Sequence, residues 1–123
     1  MSRLALIIED DPDQRRLLER MLGASGWRVD TAPDGEAGLA LARERQPQVI
    51  VLDVMMPRLN GYQACRRLRA DPATAGIPIV IVTAKDQPAD AYWAKEVGAD
   101  AFLAKPVDVR ELAALLDRLA GTA

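Results

Sequence analysis

The sequence has no histidine, and its 123 residues include a single cysteine, Cys65. Without histidine and with only one thiol, the chain lacks the groups for a zinc site of the usual kind, a Ser/His/Asp triad or an imidazole base. A lone cysteine also excludes an internal disulfide and agrees with a reducing compartment. These absences exclude the catalytic and metal centres that depend on imidazole or on several thiolates.

Long apolar stretches and a strong charge of either sign are missing as well. No apolar run reaches the length that crosses a bilayer, and the five apolar residues after Arg3 are too few for a secretory signal. The net charge is −2 and the arginines are spread over several segments, which gives no drive toward nucleic acid. We therefore expect one cytoplasmic domain, residues 1–123, that binds neither a membrane nor nucleic acid directly.

What the chain does contain is a regular alternation of two kinds of segment. Five short segments are typical of strands: apolar runs at residues 4–8, 49–52, 77–82 and 101–103, and an alternation of apolar and polar residues at 27–32, as expected near a sheet edge. The segments between them and after the last one repeat apolar residues at helical spacing. Because parallel strands need crossover connections, this alternation predicts an α/β fold with a parallel sheet and helices on both faces.

Local signals mark the ends of several predicted helices. Pro12 suits the first position of the first helix, with Asp11 as its cap. The fourth helix is expected from about residue 86 to 97. Asp108 and Glu111 have capping-box spacing at the start of the last helix. The residues of that helix predicted to face the core are Val109, Leu112, Leu115, Leu116 and Leu119.

One apolar run, residues 49–52, leads directly into an aspartate, Asp53. An ionised carboxylate at the end of a buried strand is costly unless a metal, a cation or water meets it. Polar residues also end or follow three other predicted strands, namely Glu9 and Asp10, Thr83, and Lys105. Because ligands of open parallel sheets bind at the carboxyl ends of the strands, we expect one site there, centred on Asp53.

The residue types at these strand ends suit phosphoryl transfer. Three carboxylates on one rim repel one another, and an oxygen-only ligand set favours Mg²⁺, with Mn²⁺ as the alternative. If Asp53 attacks a phosphoryl donor, the metal ion and the ammonium of Lys105 can neutralise the charge that accumulates. The hydroxyl of Thr83 can donate a hydrogen bond to the attached phosphoryl group. The pattern thus indicates a site that accepts a phosphoryl group.

These residues and their spacing resemble the receiver domain of bacterial two-component response regulators, from the acidic pair Glu9-Asp10 to the last helix. The resemblance implies the flavodoxin-like (βα)5 fold of the chemotaxis regulator, with strand order 2-1-3-4-5. It makes Asp53 the phosphoacceptor, Asp10 a direct metal ligand and Glu9 an acid that acts through water. The main-chain carbonyl of Met55 would be a further metal ligand.

The resemblance also implies the parts of a conformational switch. Thr83 would be the switch hydroxyl and Lys105 the phosphate-pairing cation, and the peptide bond before Pro106 is often cis in the family. Phe102 stands where the family often has tyrosine, so the switch aromatic keeps its ring without the hydroxyl. Ala84 is small and should leave the phosphoryl site open to water or to a phosphatase.

The predicted function is a phosphorylation-activated signalling switch rather than an enzyme, with at most self-phosphorylation from small donors and self-dephosphorylation. Because the chain has no histidine, a histidine kinase or phosphotransfer protein would supply the phosphoryl group. The face formed by the fourth helix, fifth strand and fifth helix would then change its contacts with a downstream protein or a fused output domain. Tyr92 and Trp93 are equally compatible with this partner surface and with core positions. Both a monomer and a phosphorylation-dependent dimer remain open.

Two other interpretations use the same acidic pocket. A scaffold could bind its partner regardless of phosphorylation and use the pocket only for Mg²⁺. A phosphatase of the haloacid dehalogenase type also forms an aspartyl phosphate, but that family needs a second aspartate two residues after the nucleophile. Met55 stands at that position here, which disfavours the phosphatase.

Overall fold

A five-stranded parallel sheet in the order β2-β1-β3-β4-β5 organises the chain. The computed structural model describes residues 3–84 and 88–121. The strands are β1 (Arg3–Ile8), β2 (Trp27–Ala32), β3 (Val49–Asp53), β4 (Ile79–Thr83) and β5 (Ala101–Ala104). The helices are α1 (Pro12–Ala24), α2 (Gly35–Arg45), α3 (Gly61–Ala70), α4 (Pro88–Glu96) and α5 (Val109–Ala120). The predicted fold class and strand order are confirmed.

The central strand β3 is buried along its whole length because helices cover both faces of the sheet. Ile50 and Leu52 pack into one core together with residues of α2, α3 and α4. Val49 and Val51 point the other way, into a second core with residues of α1 and α5. A strand covered on both faces needs apolar residues at every position, which explains the uninterrupted run that ends at Asp53.

The predicted caps of α1 and α5 are present. Pro12 is the first residue of α1, and the Asp11 carboxylate accepts a hydrogen bond from the Asp13 amide at 2.9 Å. At α5, the Asp108 carboxylate accepts from the amides two and three residues further on, at 2.8 and 3.3 Å. Each cap satisfies amides that have no partner within the helix itself.

The complete capping box lies at α3, directly after the loop that follows β3. The Asn60 side chain accepts from the Gln63 amide, and the Gln63 side chain accepts from the Asn60 amide, both at 2.9 Å. This reciprocal pair fixes the first residue of α3 close to the carboxyl end of β3.

The fourth strand begins two residues later than the apolar run suggested. Pro78 has no N–H to donate to a neighbouring strand, and the amide of Ile77 donates instead to the Thr74 carbonyl at 3.0 Å. The paired register therefore starts with Ile79 opposite Ile50. Residues 77 and 78 belong to the connection that leads into the strand.

Two sequence-based predictions concern the first residues of the last two helices. Val109 was expected in the core but is 37% exposed, so this prediction is wrong. It is the first residue of α5, and helical spacing identifies the face of a residue but not how far along the axis the core extends. The expected beginning of the fourth helix, at about residue 86, lies outside the described residues. Within the described residues, α4 begins at Pro88. Within residues 3–84 and 88–121, none of the helices has the length and hydropathy needed to span a membrane.

Arg69 joins three segments at the amino ends of β4 and β5. Its guanidinium donates to the carbonyls of Ala75 and Ile77 at 3.0 and 2.6 Å, and to the Gly98 carbonyl at 2.8 Å. It also forms an ion pair with Asp100 at 2.6 Å. The same carboxylate oxygen accepts from the Ile79 amide at 2.8 Å, so one arginine links α3 to the start of both strands.

Cys65 lies on the buried face of α3 and is fully inaccessible to solvent. Its thiol donates to the Val97 carbonyl at 3.4 Å. Burial raises the pKa of this thiol from 9.0 to about 11. The fold thus holds the neutral thiol in place.

This pKa shift predicts a loss of stability in alkaline solution. Above the unfolded pKa of 9.0 the unfolded chain releases the thiol proton while the folded chain keeps it, so stability falls as pH rises toward about 11. At about pH 10 the loss amounts to about 1.4 kcal/mol. Urea unfolding at about pH 8 and about pH 10 should show this extra loss in the parent and not in Cys65→Ala. Equal losses in both proteins would contradict the prediction.

Candidate functional site

Polar side chains from four strand ends meet at the carboxyl edge of the sheet. Asp53 is the last residue of β3 and is 3% exposed, and Thr83 is the last residue of β4 and is fully buried. Glu9 directly follows β1 and Lys105 directly follows β5. The parallel register pairs Asp53 with Val82, one residue before Thr83. The topology therefore brings these strand ends to one place, as the sequence suggested.

Three carboxylates form the centre of this edge. One oxygen from each of Glu9, Asp10 and Asp53 lies within 4.8 Å of the others. The Lys105 ammonium is 2.7 Å from Glu9 Oε1 and 3.2 Å from Asp53 Oδ1. Glu9 and Asp53 are buried, whereas Asp10 is half-buried. The cluster sets three acidic groups against one ammonium, an excess of acidic groups that favours a further cation.

The proton equilibria of the buried pair reflect this crowding. Burial raises the pKa of Glu9 to about 7, and the Asp53 charge adds to the increase while the hydrogen bond from Lys105 opposes it. Burial disfavours the charged form of Lys105, but its hydrogen bond to Glu9 and the charge of Asp53 outweigh this and raise the pKa of Lys105. Lys105 therefore stays charged at neutral pH, and it is the group that makes two buried carboxylates tolerable.

The donor set of the cluster fits a hard divalent cation. All three side chains offer carboxylate oxygens, the donors that Mg²⁺ prefers, and neither a thiolate nor an imidazole takes part. Asp10 is half-buried, and the cluster lines an open cavity through which an ion and its water could enter. The residues present thus suit Mg²⁺ better than zinc.

The cavity beside the cluster has a volume of about 650 Å³. Its lining includes the three carboxylates and Lys105. It also includes apolar side chains, namely Leu17, Leu18 and Met21 of α1 together with Val107. The acidic cluster therefore opens into a cavity whose lining is both charged and apolar.

The residues expected to form the switch lie on β4 and β5. Thr83 ends β4, and the exposed Ala84 after it lines the cavity. Phe102 lies on the edge strand β5 opposite Ile81 and is half-buried. Its ring packs against the core shared by α2, α3 and α4. Thr83 and Phe102 are therefore on adjacent strands, one at the site and the other at the sheet edge.

Two further site expectations, at Met55 and Pro106, concern residues that line the cavity. Met55 lines the cavity, and its side chain is 52% exposed. The peptide bond between Lys105 and Pro106 is cis, and Pro106 also lines the cavity.

Tyr92 and Trp93 lie outside this cavity, on the exposed surface of α4. They are 58% and 48% exposed, so both are surface residues and not core residues. Their rings meet edge to face, with centroids 5.5 Å apart and planes at 81°. Such a pair is a rigid apolar feature on the surface.

The sequence matches the family model described as "Response regulator receiver domain" over residues 5–117. The chain belongs to this family. The receiver domain is similar to Protein PilH of Pseudomonas aeruginosa, with 46% identity over 112 residues that cover 91% of this chain and 92% of PilH. It is also similar to response regulator PleD of Caulobacter vibrioides, with 44% identity over 88% of this chain and only 24% of PleD.

A solved structure shows the same fold with a metal ion. The receiver domain of sensor histidine kinase PA1611 from Pseudomonas aeruginosa PAO1, described with a magnesium ion coordinated in the active site cleft, has a TM-score of 0.91 to this receiver domain. The two share 31% sequence identity, and the match covers 99% of this chain and 100% of that chain. The fold that surrounds the acidic cluster is therefore shared with a receiver domain that binds Mg²⁺.

Gly61 supports the site in a way that the sequence alone did not reveal. Its amide donates to the Val54 carbonyl at 3.0 Å, so the start of α3 rests on the chain just after Asp53. A Cβ on Gly61 would lie 2.9 Å from the Asp53 carbonyl carbon and 2.7 Å from the Val54 Cα. Both are main-chain atoms that cannot rotate away. Only the structure shows that the space beside Asp53 requires glycine.

Substitution of Gly61 should therefore disturb Asp53. We expect Gly61→Ala to destabilise the receiver domain by about 1–3 kcal/mol, because α3 must move away from β3 to make room. Chemical denaturation measures this loss. Gly76→Ala is the matched control, since no atom lies within 4 Å of a Cβ built there. A loss no larger in Gly61→Ala than in the control would mean that the close contact is relieved without cost.

Proposed function

We propose that this receiver domain is a phosphorylation-activated switch that accepts a phosphoryl group on Asp53 from a histidine kinase or histidine phosphotransfer protein. The observation that carries the proposal is the position of the Asp53 carboxylate. It is buried at a strand end, 3.2 Å from the Lys105 ammonium and next to two further carboxylates. An acid that is costly to bury and is surrounded in this way suits nucleophilic chemistry better than helix capping.

The phosphoryl transfer needs no acid or base from this chain. An Asp53 carboxylate oxygen forms the bond to phosphorus while the bond from phosphorus to the donor's imidazole nitrogen breaks, and the electron pair stays on the imidazole. Negative charge spreads over the phosphoryl oxygens during this step. Lys105, already 3.2 Å from Asp53 Oδ1, is placed to pair with that charge.

The acidic cluster would hold Mg²⁺, or Mn²⁺ in its place. We assign Asp10 and Asp53 as direct ligands, the Met55 main-chain carbonyl as a third, and Glu9 as a partner through water. When bound, the ion supplies charge that offsets the repulsion between the carboxylates and the incoming phosphoryl group. Glu9 is less suited to direct coordination because both of its oxygens already accept hydrogen bonds, from Lys105 at 2.7 Å and from the Asp11 amide at 3.2 Å.

The signal would pass from Asp53 to the surface through Thr83 and Phe102. A phosphoryl group adds about 1.5 to 2 negative charges at neutral pH. The Thr83 hydroxyl can donate to it, and a shift of β4 would let the half-buried Phe102 move inward. The phosphoryl group thereby favours one of two existing conformations rather than creating a new one.

The surface that changes would be the face of α4, β5 and α5, with the Tyr92–Trp93 pair as a candidate contact. Its partner would be a downstream protein or a fused output domain, and the receiver domain would act in the cytoplasm as a monomer or as a phosphorylation-dependent dimer. Two exposed aromatic side chains in mutual contact offer a large apolar area at low entropic cost, which suits such a contact.

Loss of the Asp53 nucleophile should abolish the response. With acetyl phosphate and Mg²⁺, we expect the parent to gain the mass of one phosphoryl group and Asp53→Asn to gain none. Intact-protein mass spectrometry measures this. Asp13→Asn, which removes an exposed carboxylate from the first turn of α1, should be labelled like the parent. Equal labelling of Asp53→Asn and the parent would reject Asp53 as the phosphoacceptor.

Removal of the Thr83 hydroxyl should separate phosphorylation from its readout. We expect Thr83→Ala to accept the phosphoryl group but to lose a charge-assisted hydrogen bond of about 1.5 kcal/mol, which lowers the ratio of active to inactive conformation about tenfold. Trp93 fluorescence in a Trp27→Phe background, with and without beryllofluoride, reports the conformation.

The matched control is Thr74→Ala, a buried threonine whose hydroxyl donates to the Leu68 carbonyl at 2.7 Å, between α3 and β4. It should keep the full fluorescence change. A full change in Thr83→Ala as well would remove Thr83 from the proposed path.

A further inference from the structure

Arg15 on α1 reaches back to the loop that carries the two acidic residues of the site. Its Nη1 donates to the main-chain carbonyl of Glu9 at 2.9 Å and to that of Asp10 at 3.4 Å. The Arg15 amide donates to the Asp11 carbonyl at 2.9 Å, which anchors the same residue in the first turn of α1. One half-buried arginine thus connects the helix to both peptide groups of the acidic pair.

The remaining polar atoms of Glu9 are held by other parts of the fold. Its amide donates to the Ala32 carbonyl of β2 at 3.1 Å. Its carboxylate oxygens accept from Lys105 at 2.7 Å and from the Asp11 amide at 3.2 Å. The hydrogen bond from Arg15 to the Glu9 carbonyl completes this set. The backbone of the acidic pair is therefore held by a side chain of α1 as well.

We infer that Arg15 is a positioning residue for the divalent cation. The inference rests on the proposed function, in which the acidic cluster holds Mg²⁺. Three carboxylates within 4.8 Å repel one another, and a free loop would relax by moving Asp10 outward. By binding the main-chain carbonyls of Glu9 and Asp10, the guanidinium keeps both side chains directed at the cation position. Groups that orient metal ligands in this way contribute to affinity without touching the metal.

The sign of the effect separates this role from simple electrostatics. A guanidinium near a cation site repels the cation, so loss of its charge alone would tighten Mg²⁺ binding. Loss of the hydrogen bonds to the Glu9 and Asp10 carbonyls would instead weaken it. A substitution that removes both effects therefore shows which one dominates.

The test is a Mg²⁺ titration by calorimetry without any phosphoryl donor, on the full chain at a temperature where each variant is folded. We expect Arg15→Met to weaken Mg²⁺ binding about tenfold, the lower end of what is usual for groups that orient metal ligands. Arg15→Lys keeps the repelling charge but not the planar donor group that bonds both carbonyls, so it should bind Mg²⁺ more weakly than the parent. Arg16→Met is the matched control: it removes the same charge from an exposed neighbour on α1 and should not weaken binding. Hydrogen exchange of the Asp10 and Asp11 amides should be faster in Arg15→Met than in Arg16→Met.

Mg²⁺ binding by Arg15→Met that equals or exceeds that of the parent would overturn the inference. If Arg15→Met does not fold, Arg15→Lys decides: weaker binding than the parent supports positioning, and unchanged binding overturns it. The two proposals fail separately. Equal Mg²⁺ affinities with normal labelling of Asp53 would reject only the role of Arg15, whereas a parent that binds Mg²⁺ but is not labelled would reject only the phosphoacceptor function.

Discussion

The contact of the Lys105 ammonium with the Glu9 and Asp53 carboxylates is the interaction on which the site depends. Without it, two buried carboxylates would repel each other in a place where neither is well solvated. The ammonium lies 2.7 and 3.2 Å from them and keeps one of the two oxygens of Asp53 in a defined place. This one ammonium faces three carboxyl groups, so the cluster remains short of positive charge. The same lysine therefore stabilises the resting protein and keeps the site receptive to a metal ion.

The parallel topology explains how residues nearly one hundred positions apart reach this contact. The central strands β1, β3 and β4 are covered by helices on both faces, so their interiors are apolar and their polar residues are confined to the ends. Every strand also runs in the same direction, which collects the chain's Glu9, Asp53, Thr83 and Lys105 on one edge. The cost of burying charge is thus limited to a single edge of the sheet, where solvent or a ligand can meet it.

The sequence was sufficient to predict the fold and the members of the acidic cluster, because apolar runs and strand-end residues are local patterns. It was less informative where distant parts of the chain compete for the same group. The amide of Ile77 is taken by the Thr74 carbonyl, which delays β4, and Val109 lies beyond the core although its helical spacing is correct. The requirement for glycine at position 61 depends on the distance between α3 and β3, and such a distance is not encoded in any short motif.

The four-way contact of Arg69 has a mechanical consequence for β4. At its amino end the strand is anchored through Asp100 and Arg69 to both neighbouring segments, with bonds of 2.6 to 3.0 Å. At its carboxyl end, the buried Thr83 is followed directly by Ala84, which lines the open cavity. Displacement of the amino end of β4 is therefore costlier than displacement of its carboxyl end, because it would break the side-chain bonds of Arg69 and Asp100 in addition to the main-chain bonds of the sheet.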